Sequence, residues 1–386
     1  MSLAETAFWV CLALVAYTYA GYPAMVFVFA RLMNRAVKKA DIEPRVTLVI
    51  SAYNEEREIL NTVENKLAQD YPAQRLEVIV ISDGSSDNTD RIVAELASRH
   101  DGRLRLLRQE PRQGKTSALN LALRHSAADI VLFADANSMY APKAVRSLVR
   151  SFADPSVGYV TGRMVYVNPG RAGIGEGSGS YISYENVLRA METRLGSIVG
   201  VNGGIDAIRR EAYVPMSPDQ LPDFVLPLTV VEQGKRVVYE PDAVLREQAL
   251  AGAAQEFRMR VRVSLRSLWS LYDKRALLNP LRYPLFAWQL VSHKILRYAA
   301  FLPLSGLLLF NAAIAGLHPL YGAFLALQVT AYALAVLGHF IRRAPAMAAP
   351  LLVPYYFVIL NGACIVAFWM FLNGRRMALW TPRQGA

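Results

Sequence analysis

Cysteine is scarce in this sequence, with two residues in a chain of 386. Cys11 and Cys364 lie in apolar runs near opposite ends of the chain, and neither has a cysteine or histidine neighbour at metal-ligand spacing. A disulfide framework and a zinc site both need such clusters. We therefore expect two buried thiols, and neither a structural disulfide nor a zinc centre.

Charge is also sparse, because 19% of the residues are charged and 53% are hydrophobic. This composition is too apolar for an ordinary soluble enzyme and too charged for a pure membrane bundle, so we expect a soluble domain joined to membrane segments. Acidic residues are outnumbered 31 to 42, which gives a net charge of +11. A basic excess suits nucleic acid, anionic lipid or an anionic substrate. Since the basic residues crowd beside apolar runs, we expect no nucleic-acid partner.

The first long run without charge extends from about residue 7 to residue 30, which is enough to cross a bilayer as a helix. A signal peptide would carry basic residues before its apolar core. Here Glu5 is the only charge ahead of the run, and Arg31 and Arg35 follow it. The pattern favours an uncleaved anchor within residues 1–40, and the positive-inside rule places the next segment in the cytoplasm.

Residues 45–255 alternate short apolar runs with segments of helical periodicity. The runs that predict buried strands are 46–50, 76–81, 104–107 and 131–134. Alternation of this kind predicts an α/β domain with a parallel sheet and right-handed crossovers. Ligands bind at the carboxyl ends of such strands.

The fourth run ends at Asp135 and Asn137. A carboxylate and an amide oxygen just past a strand can hold a hard divalent cation that also binds two oxygens of a diphosphate. Asp and Asn also favour turns, so these two residues alone leave an ordinary strand exit open.

Two phosphate-binding motifs are incomplete. Gly114-Lys115-Thr116 ends like a Walker loop, but Gln109 stands where the first glycine belongs. The glycine-rich segment 170–179 lacks the G-x-G-x-x-G spacing and does not lie between a strand and a helix. We expect neither a P-loop nor a dinucleotide fingerprint, and we interpret 170–179 as a mobile loop near the site.

Six short motifs occur in the order found in the family 2 inverting glycosyltransferases of the GT-A fold. They are Ala52-Tyr53-Asn54-Glu55, Asp83-Gly84-Ser85-Ser86-Asp87, Gly114-Lys115 with Ala118-Leu119-Asn120, Asp135-Ala136-Asn137, Val201-Asn202-Gly203-Gly204 and Pro222-Asp223-Phe224. On these motifs residues 45 to about 270 resemble that family. The flanking apolar runs extend the resemblance to membrane-integrated hyaluronan, cellulose and exopolysaccharide synthases.

The resemblance implies a fold and a reaction. The fold is an α/β, Rossmann-like GT-A domain inserted between transmembrane helices. The reaction is transfer of a hexosyl or N-acetylhexosaminyl group from a nucleotide sugar, expected to be a UDP-sugar, with Mg²⁺ or Mn²⁺ as cofactor. Asp135 and Asn137 would hold this ion. Many relatives carry a second aspartate where this chain has Asn137, so we expect weaker metal affinity here.

The resemblance also implies roles for other residues. Those expected around the nucleotide are Ala52, Tyr53, Glu55, Asp83, Lys115 and Asp135. Asp223 would be the base that takes the proton of the acceptor hydroxyl, although an aspartate before an apolar run equally fits a helix N-cap. Asp219 is the other candidate base. Gly203 and Gly204 match the floor under the acceptor, where missing side chains let a sugar approach the backbone.

A basic stripe follows the predicted α/β domain. Arg258, Arg262 and Arg266 are four residues apart and therefore share one face of a helix. Polysaccharide synthases carry Gln-x-x-Arg-Trp near this point, and the closest register, 259–263, retains Arg262 without the glutamine or the tryptophan. We expect Arg262 to contact the acceptor. A helix laid on anionic lipid explains the stripe equally well.

The remaining chain is apolar. Residues 256–296 predict basic interfacial helices, and residues 297–375 predict about three membrane helices. Arg342 and Arg343 suit a cytoplasmic end of the second of these, but four spans in all would leave Arg375 and Arg376 outside. That conflict disappears if one of the three is re-entrant or interfacial.

These observations predict a multi-pass enzyme of the cell (inner or plasma) membrane with a cytoplasmic catalytic domain. Its partners would be a nucleotide-sugar donor, a glycan or lipid-linked acceptor, and the bilayer. The alternative is a catalytically inactive structural subunit of a membrane glycan-synthesis complex, motivated by Asn137 and the altered motif at 259–263. The sequence leaves open the donor sugar, the linkage and any partner proteins in a membrane complex.

Overall fold

A computed structural model of the chain describes residues 1–100, 102–167, 174–248, 253–341 and 349–377. The strands are β1 (Val46–Ala52), β2 (Leu76–Ser82), β3 (Leu104–Arg108), β4 (Ile130–Asp135), β5 (Met139–Tyr140), β6 (Val157–Val167), β7 (Ile205–Arg209) and β8 (Arg236–Gln248). The helices are α1 (Leu3–Ala16), α2 (Tyr22–Met33), α3 (Ile59–Leu67), α4 (Thr89–Arg99), α5 (Lys115–His125), α6 (Ala144–Arg150), α7 (Ile174–Leu195), α8 (Pro222–Glu232), α9 (Ala253–Asp273), α10 (Pro284–Leu290), α11 (Leu296–Tyr298), α12 (Phe301–Ile314), α13 (Pro319–Ile341) and α14 (Ala349–Leu372).

The strands form an eight-stranded sheet in the order β3-β2-β1-β4-β7-β6-β8-β5. Strands β1 to β4 are parallel to one another, as the alternating pattern predicts, and β1 is buried along its whole length. The other half is mixed, because β7 runs antiparallel to both β4 and β6. The α/β prediction is confirmed, whereas the antiparallel strand β7 was not foreseen.

Helices cover both faces of the sheet. On one face Leu48 and Leu132 belong to an apolar core that includes residues of α3 and α6. On the other face Val49 and Phe133 belong to a second core that includes residues of α5 and α8. Burial on both faces accounts for the nearly continuous apolar runs of the parallel strands.

The glycine-rich segment is partly helical. Residues 174–179 belong to α7, so the expectation of a mobile loop is wrong for them, and residues 170–173 lie outside the described chain. Further along α7, Leu188 and Leu195 pack against Tyr22 and Val26 of α2. Docking of α7 on α2 stabilises a helix that its glycines would not predict.

Several helices are long and apolar enough to cross a membrane. They are Leu3–Met33, Pro319–Phe340, Leu352–Leu372 and, counted as one bent span, Pro284–Tyr298 with Phe301–Ile314. The bend between the members of that pair is 59°. By length and composition the described residues therefore hold three candidate spans, or four with the bent pair.

Helix α14 lies along α9. Near its start the Tyr356 hydroxyl donates to Glu256 Oε1 (3.0 Å), and near its end the ring of Phe371 lies 4.6 Å from that of Trp269. The following tail also contacts the sheet domain, since Arg376 pairs with Asp219 at 2.5 Å. The chain after α14 therefore lies beside this domain. Arg342 and Arg343 lie outside the described residues.

Candidate active site

Polar residues gather at the carboxyl edge of the parallel strands. Asp83 follows β2 and Asp135 ends β4. Because β7 runs antiparallel, with Ile205 opposite Ala134, it begins at this same edge and brings Gly203 and Gly204 to it. The mixed half of the sheet therefore carries the predicted acceptor floor to the predicted metal site.

Lys115 joins two of the predicted site residues. Its Nζ donates to Asp135 Oδ1 (2.8 Å) and lies 3.7 Å from Asp223 Oδ1. Burial alone would lower the pKa of Lys115, but the two carboxylates outweigh it and hold that pKa above its ordinary value. A permanent positive charge therefore lies between two carboxylates at the end of the sheet.

Both glycines of the predicted floor have left-handed backbone conformations, with φ of +72° at Gly203 and +70° at Gly204. A Cβ at Gly203 would stand 2.8 Å from Asp223 Oδ2, and one at Gly204 would stand 3.1 Å from Asp135 Oδ2. Glycine is needed at Gly203 both for its φ and for the close approach of a carboxylate. The floor, Asp135 and Asp223 form one continuous surface.

Asp223 is not a helix cap. The N-cap of α8 is Leu221, Pro222 opens the helix, and no side chain forms a capping hydrogen bond there. The capping alternative is therefore wrong. The Asp223 carboxylate instead forms an ion pair with Lys115. Asp219, the other candidate base, directs its carboxylate to Arg376.

Asp83 organises the loop that precedes Lys115. Its fully buried carboxylate accepts hydrogen bonds from Gln109 Nε2 (2.6 Å), Gln113 N (2.9 Å) and Gly114 N (3.0 Å). These bonds fix the start of α5 and so place Lys115. Direct contact between Asp83 and the nucleoside stays a prediction.

The predicted nucleoside pocket adjoins Asp83. The backbone N–H of Asp83 donates to Ala52 O (2.9 Å), and the Arg112 guanidinium lies over the Tyr53 ring at 3.5 Å from its centroid. The Glu55 backbone N–H bonds the Thr89 hydroxyl (2.8 Å), which ties this loop to the start of α4. Ala52, Tyr53 and Asp83 are brought together, with Glu55 at the rim.

Asp135 and Asn137 suit a metal that is shared with a ligand. Both side chains are partly exposed, Asp135 at the end of β4 and Asn137 in the turn that follows. Within the described chain no group of three or more His, Cys, Asp and Glu side chains is arranged to hold an ion alone. An oxygen pair of this kind fits Mg²⁺ or Mn²⁺, which keep waters and bind substrate phosphates through few protein ligands.

The basic stripe of α9 divides along its length. Arg258 is exposed, whereas Arg266 is buried and donates to Asp219 O (3.1 Å) and the Thr116 hydroxyl (3.2 Å). Burial lowers the pKa of Arg262, and the carboxylates of Asp135 and Asp223 oppose that effect. A contact between Arg262 and the acceptor stays a prediction, whereas Arg266 ties α9 to the start of α5 and to the Asp219 backbone.

The sequence interpretation missed Asp206, which lies in β7 opposite Phe133 and Thr161. Its side chain is fully buried, and its oxygens lack a well-formed hydrogen bond within the described chain. Burial, followed by repulsion from Asp223, raises the pKa of Asp206 to about 8. The sequence feature that could have indicated Asp206 is that it is the only acidic residue in the apolar strand β7.

Comparison with known proteins agrees with this geometry. Residues 47–214 match the family model described as Glycosyl transferase family 2. A beta-monoglucosyldiacylglycerol synthase of Trichormus variabilis is 31% identical over 197 residues, which cover 50% of this chain and 42% of that protein. A poly-beta-1,6-N-acetyl-D-glucosamine synthase of Staphylococcus aureus is 27% identical over 228 residues, covering 56% and 54%. The chain thus spans about half the length of these curated relatives.

One solved structure matches almost the whole chain. It is the mannosyltransferase PcManGT from Pyrobaculum calidifontis in complex with GDP-Man and Mn²⁺, at a TM-score of 0.72 and 25% identity. The match covers 95% of this chain and 99% of that one. Residues 47–214 thus match glycosyltransferase family 2, and the sheet domain that contains them has the GT-A fold.

Proposed function

We propose that this protein is a membrane-bound, divalent-metal-dependent inverting glycosyltransferase that makes a glycolipid or an exopolysaccharide from a nucleotide sugar. The observation that carries the proposal is the position of Lys115 between Asp135 and Asp223, with Gly203 and Gly204 closed against both carboxylates. Metal-side and acceptor-side groups then lie within one small site. An inactive structural subunit has no need for this arrangement.

In the proposed reaction the acceptor hydroxyl rests on the Gly203–Gly204 backbone and attacks the anomeric carbon of the donor. Asp223 takes the hydroxyl proton as the new C–O bond forms and the bond to the nucleoside diphosphate breaks on the opposite face. Attack and departure on opposite faces invert the anomeric centre. When bound at Asp135 and Asn137, Mg²⁺ or Mn²⁺ supplies positive charge that stabilises the leaving diphosphate. Lys115 adds a fixed charge beside it.

The donor pocket is proposed to lie between Tyr53 and Asp83. We expect a UDP-sugar, in which the uracil N–H would bond a carboxylate. The solved neighbour contains GDP-Man, so a guanine nucleotide belongs in the same test. Arg262 is proposed to contact the acceptor.

We place the GT-A domain on the cytoplasmic face of the cell membrane, because basic residues follow α2. Helix α14 contacts α9 near both of its ends, which favours an interfacial α14 over a spanning one. The tail with Arg375 and Arg376 then stays in the cytoplasm. An acceptor carried by lipid would reach the site from that leaflet.

The test is release of nucleoside diphosphate by purified protein in detergent. UDP-glucose, UDP-N-acetylglucosamine and GDP-mannose are offered with Mn²⁺ or Mg²⁺, and with dioleoylglycerol micelles or an N-acetylglucosamine oligomer as acceptor. We expect metal-dependent release with one donor and formation of a glycosylated acceptor. Failure with every pair, in protein that binds nucleotide normally, would favour the structural-subunit alternative.

A further inference from the structure

Two π-turns face each other where the N-terminal helices meet the helices that follow α9. One, Tyr17–Gly21, lies between α1 and α2, and the other, Val291–Ile295, lies between α10 and α11. The Tyr17 and Ser292 hydroxyls are 2.7 Å apart across this contact. π-turns are rare and are concentrated at functional sites, so a facing pair calls for an explanation.

The second π-turn contributes His293 and Lys294 to a buried ion cluster, whose other members are Glu185, Arg189, Glu192 and Arg297. His293 stands between two carboxylates, with Nδ1 2.7 Å from Glu192 Oε1 and Nε2 3.2 Å from Glu185 Oε2. Its imidazole is fully buried. Arg297 pairs with Glu185, and the Tyr22 hydroxyl donates to Glu192 Oε1 (2.5 Å). The cluster thus links α2, α7 and the α10–α11 helix.

Burying this many charges is costly, and well-packed apolar residues often stabilise a core as much or more. Apolar contacts already join these helices, since Leu188 and Leu195 of α7 pack on Val26 and Ala30 of α2. Holding the helices together therefore does not by itself account for the ions.

The buried ion cluster also forms hydrogen bonds with the backbone that leads to the acceptor floor. Glu192 Oε2 accepts from Val199 N (3.3 Å), and Arg189 Nε donates to Gly200 O (2.8 Å). Lys294 lies directly against Gly200, where a Cβ would stand 2.4 Å from Lys294 Nζ. Gly203, with Asp223 beside it, follows three residues later along the chain.

We propose that the buried ion cluster fixes Val199 and Gly200 and thereby sets the acceptor floor against Asp223, with Lys294 and His293 as positioning residues for the acceptor. The proposal rests on the proposed function, because it assigns the cluster to the acceptor half of that reaction. The donor side of the site is formed by other residues, among them Asp83 and Asp135. Disturbing the cluster should therefore harm use of the acceptor and spare binding of the nucleotide.

The contact between Lys294 and Gly200 can be disturbed from either side. Lys294→Ala removes the ammonium, whereas Gly200→Ala keeps every charge and pushes the ammonium away. Gly200 does not have a left-handed φ, so alanine introduces a contact rather than backbone strain. Lys235→Ala is the matched control, because Lys235 pairs with the exposed Glu211 away from the floor.

The main measurement is a ratio: the amount of sugar transferred to the acceptor, divided by the amount of sugar released by hydrolysis. It uses the donor and acceptor pair that the test of the proposed function identifies. A merely destabilised protein loses both reactions together and keeps the ratio. We expect each single variant to lower the ratio roughly tenfold, since small misplacements of a reacting group carry penalties of that order or larger. The affinity for the nucleoside diphosphate with Mn²⁺ should stay within about twofold, as for sites without shared partners.

The double variant tests whether the two residues act through one contact. In the Lys294→Ala background the added methyl group meets no ammonium, so Gly200→Ala should have little further effect. Independent, additive losses would overturn the proposal, as would an unchanged ratio in Gly200→Ala. If Lys294→Ala does not fold, Gly200→Ala alone still decides.

A readout without turnover separates this proposal from the proposed function. Hydrogen exchange of the peptide spanning 197–206 should quicken in Gly200→Ala and not in Lys235→Ala, because the floor is released only in the former. Unchanged exchange would refute the positioning role. An inactive wild-type protein with quickened exchange in Gly200→Ala would instead refute the proposed function and leave the cluster holding this backbone.

Discussion

The carboxylate of Asp223 occupies the space into which a side chain at Gly203 would project, since a Cβ there would lie 2.8 Å from Asp223 Oδ2. A hydroxyl lying on the Gly203 backbone would therefore be within reach of the oxygen proposed to take its proton. The floor and the proposed base are parts of one surface. A side chain added at Gly203 should therefore disturb both acceptor binding and proton transfer.

Gly203→Ala is expected to lower transfer about tenfold or more, because the new methyl group meets Asp223 and displaces the acceptor. The matched control is Gly234→Ala, since Gly234 has a similar φ of +77° and no atom near the added Cβ. That variant carries the backbone strain alone, of order 1–3 kcal/mol in stability. Equal losses of transfer in the two variants would show that strain, and not the contact with Asp223, is responsible.

Asp223→Asn should reduce turnover about a hundredfold or more, since an amide of the same shape cannot take the acceptor proton. Affinity for the nucleoside diphosphate should change little, because Asp83 and Asp135 are untouched. Initial rates and nucleotide titration measure the two effects. Asp219→Asn is the control and should remain active, as Asp219 is paired with Arg376. Turnover above a tenth of wild type in Asp223→Asn would exclude it as the base.

Asn137→Asp is expected to keep or raise activity and to lower the Mn²⁺ or Mg²⁺ concentration that gives half-maximal rate. A second carboxylate adds charge to a hard-cation site without changing its size. Metal titration of wild type and variant at saturating donor provides the measurement. If the two half-maximal concentrations coincide, Asn137 does not contact the ion.

Much of this site was readable from sequence because it lies on local motifs. Strands β1, β2 and β4 are parallel and bring their carboxyl ends to one edge, where Ala52, Asp83 and Asp135 lie. Asp223 followed only from its place in the motif order, since the local pattern favoured a cap equally. The structure separates the two readings, because Leu221 is the N-cap.

Contacts between distant segments were not readable. Arg262 and Arg266 look alike in a stripe with a four-residue period, yet the Arg266 guanidinium donates its hydrogen bonds to Thr116 and the Asp219 backbone. The sequence of β7 does not reveal that the strand is antiparallel to β4. The burial of Asp206 within this strand was therefore missed. Tertiary packing decides such features, and periodicity reports only which face is apolar.

Asp206 should give the protein a distinctive dependence of stability on pH. Its pKa is raised to about 8 in the folded chain, against roughly 3.9 for an unfolded aspartate. Between these values the folded state keeps a proton that the unfolded state has lost, so stability falls as pH rises from about 4 to about 8. Asp206→Asn removes this contribution. Melting temperatures in detergent from pH 5 to pH 8 should therefore fall less steeply in the variant, and parallel curves would rule out a protonated Asp206.

The altered motif at 259–263 predicts short or lipid-attached products. A processive synthase must hold the terminal sugar between additions, and an aromatic platform would contribute about 1 kcal/mol by analogy with other aromatic contacts. The two nearest substitutes have other partners. The Arg376 guanidinium lies over the Trp269 ring, 4.2 Å from its centroid, and the rings of Tyr22 and Phe29 pack against Trp288 at centroid distances of 5.2 and 5.7 Å. Without a platform the extended product should leave after each transfer. Time courses with limiting acceptor check this, because a distributive enzyme lengthens all acceptors together. Long product beside untouched acceptor at early times would contradict the prediction and identify a polymer synthase.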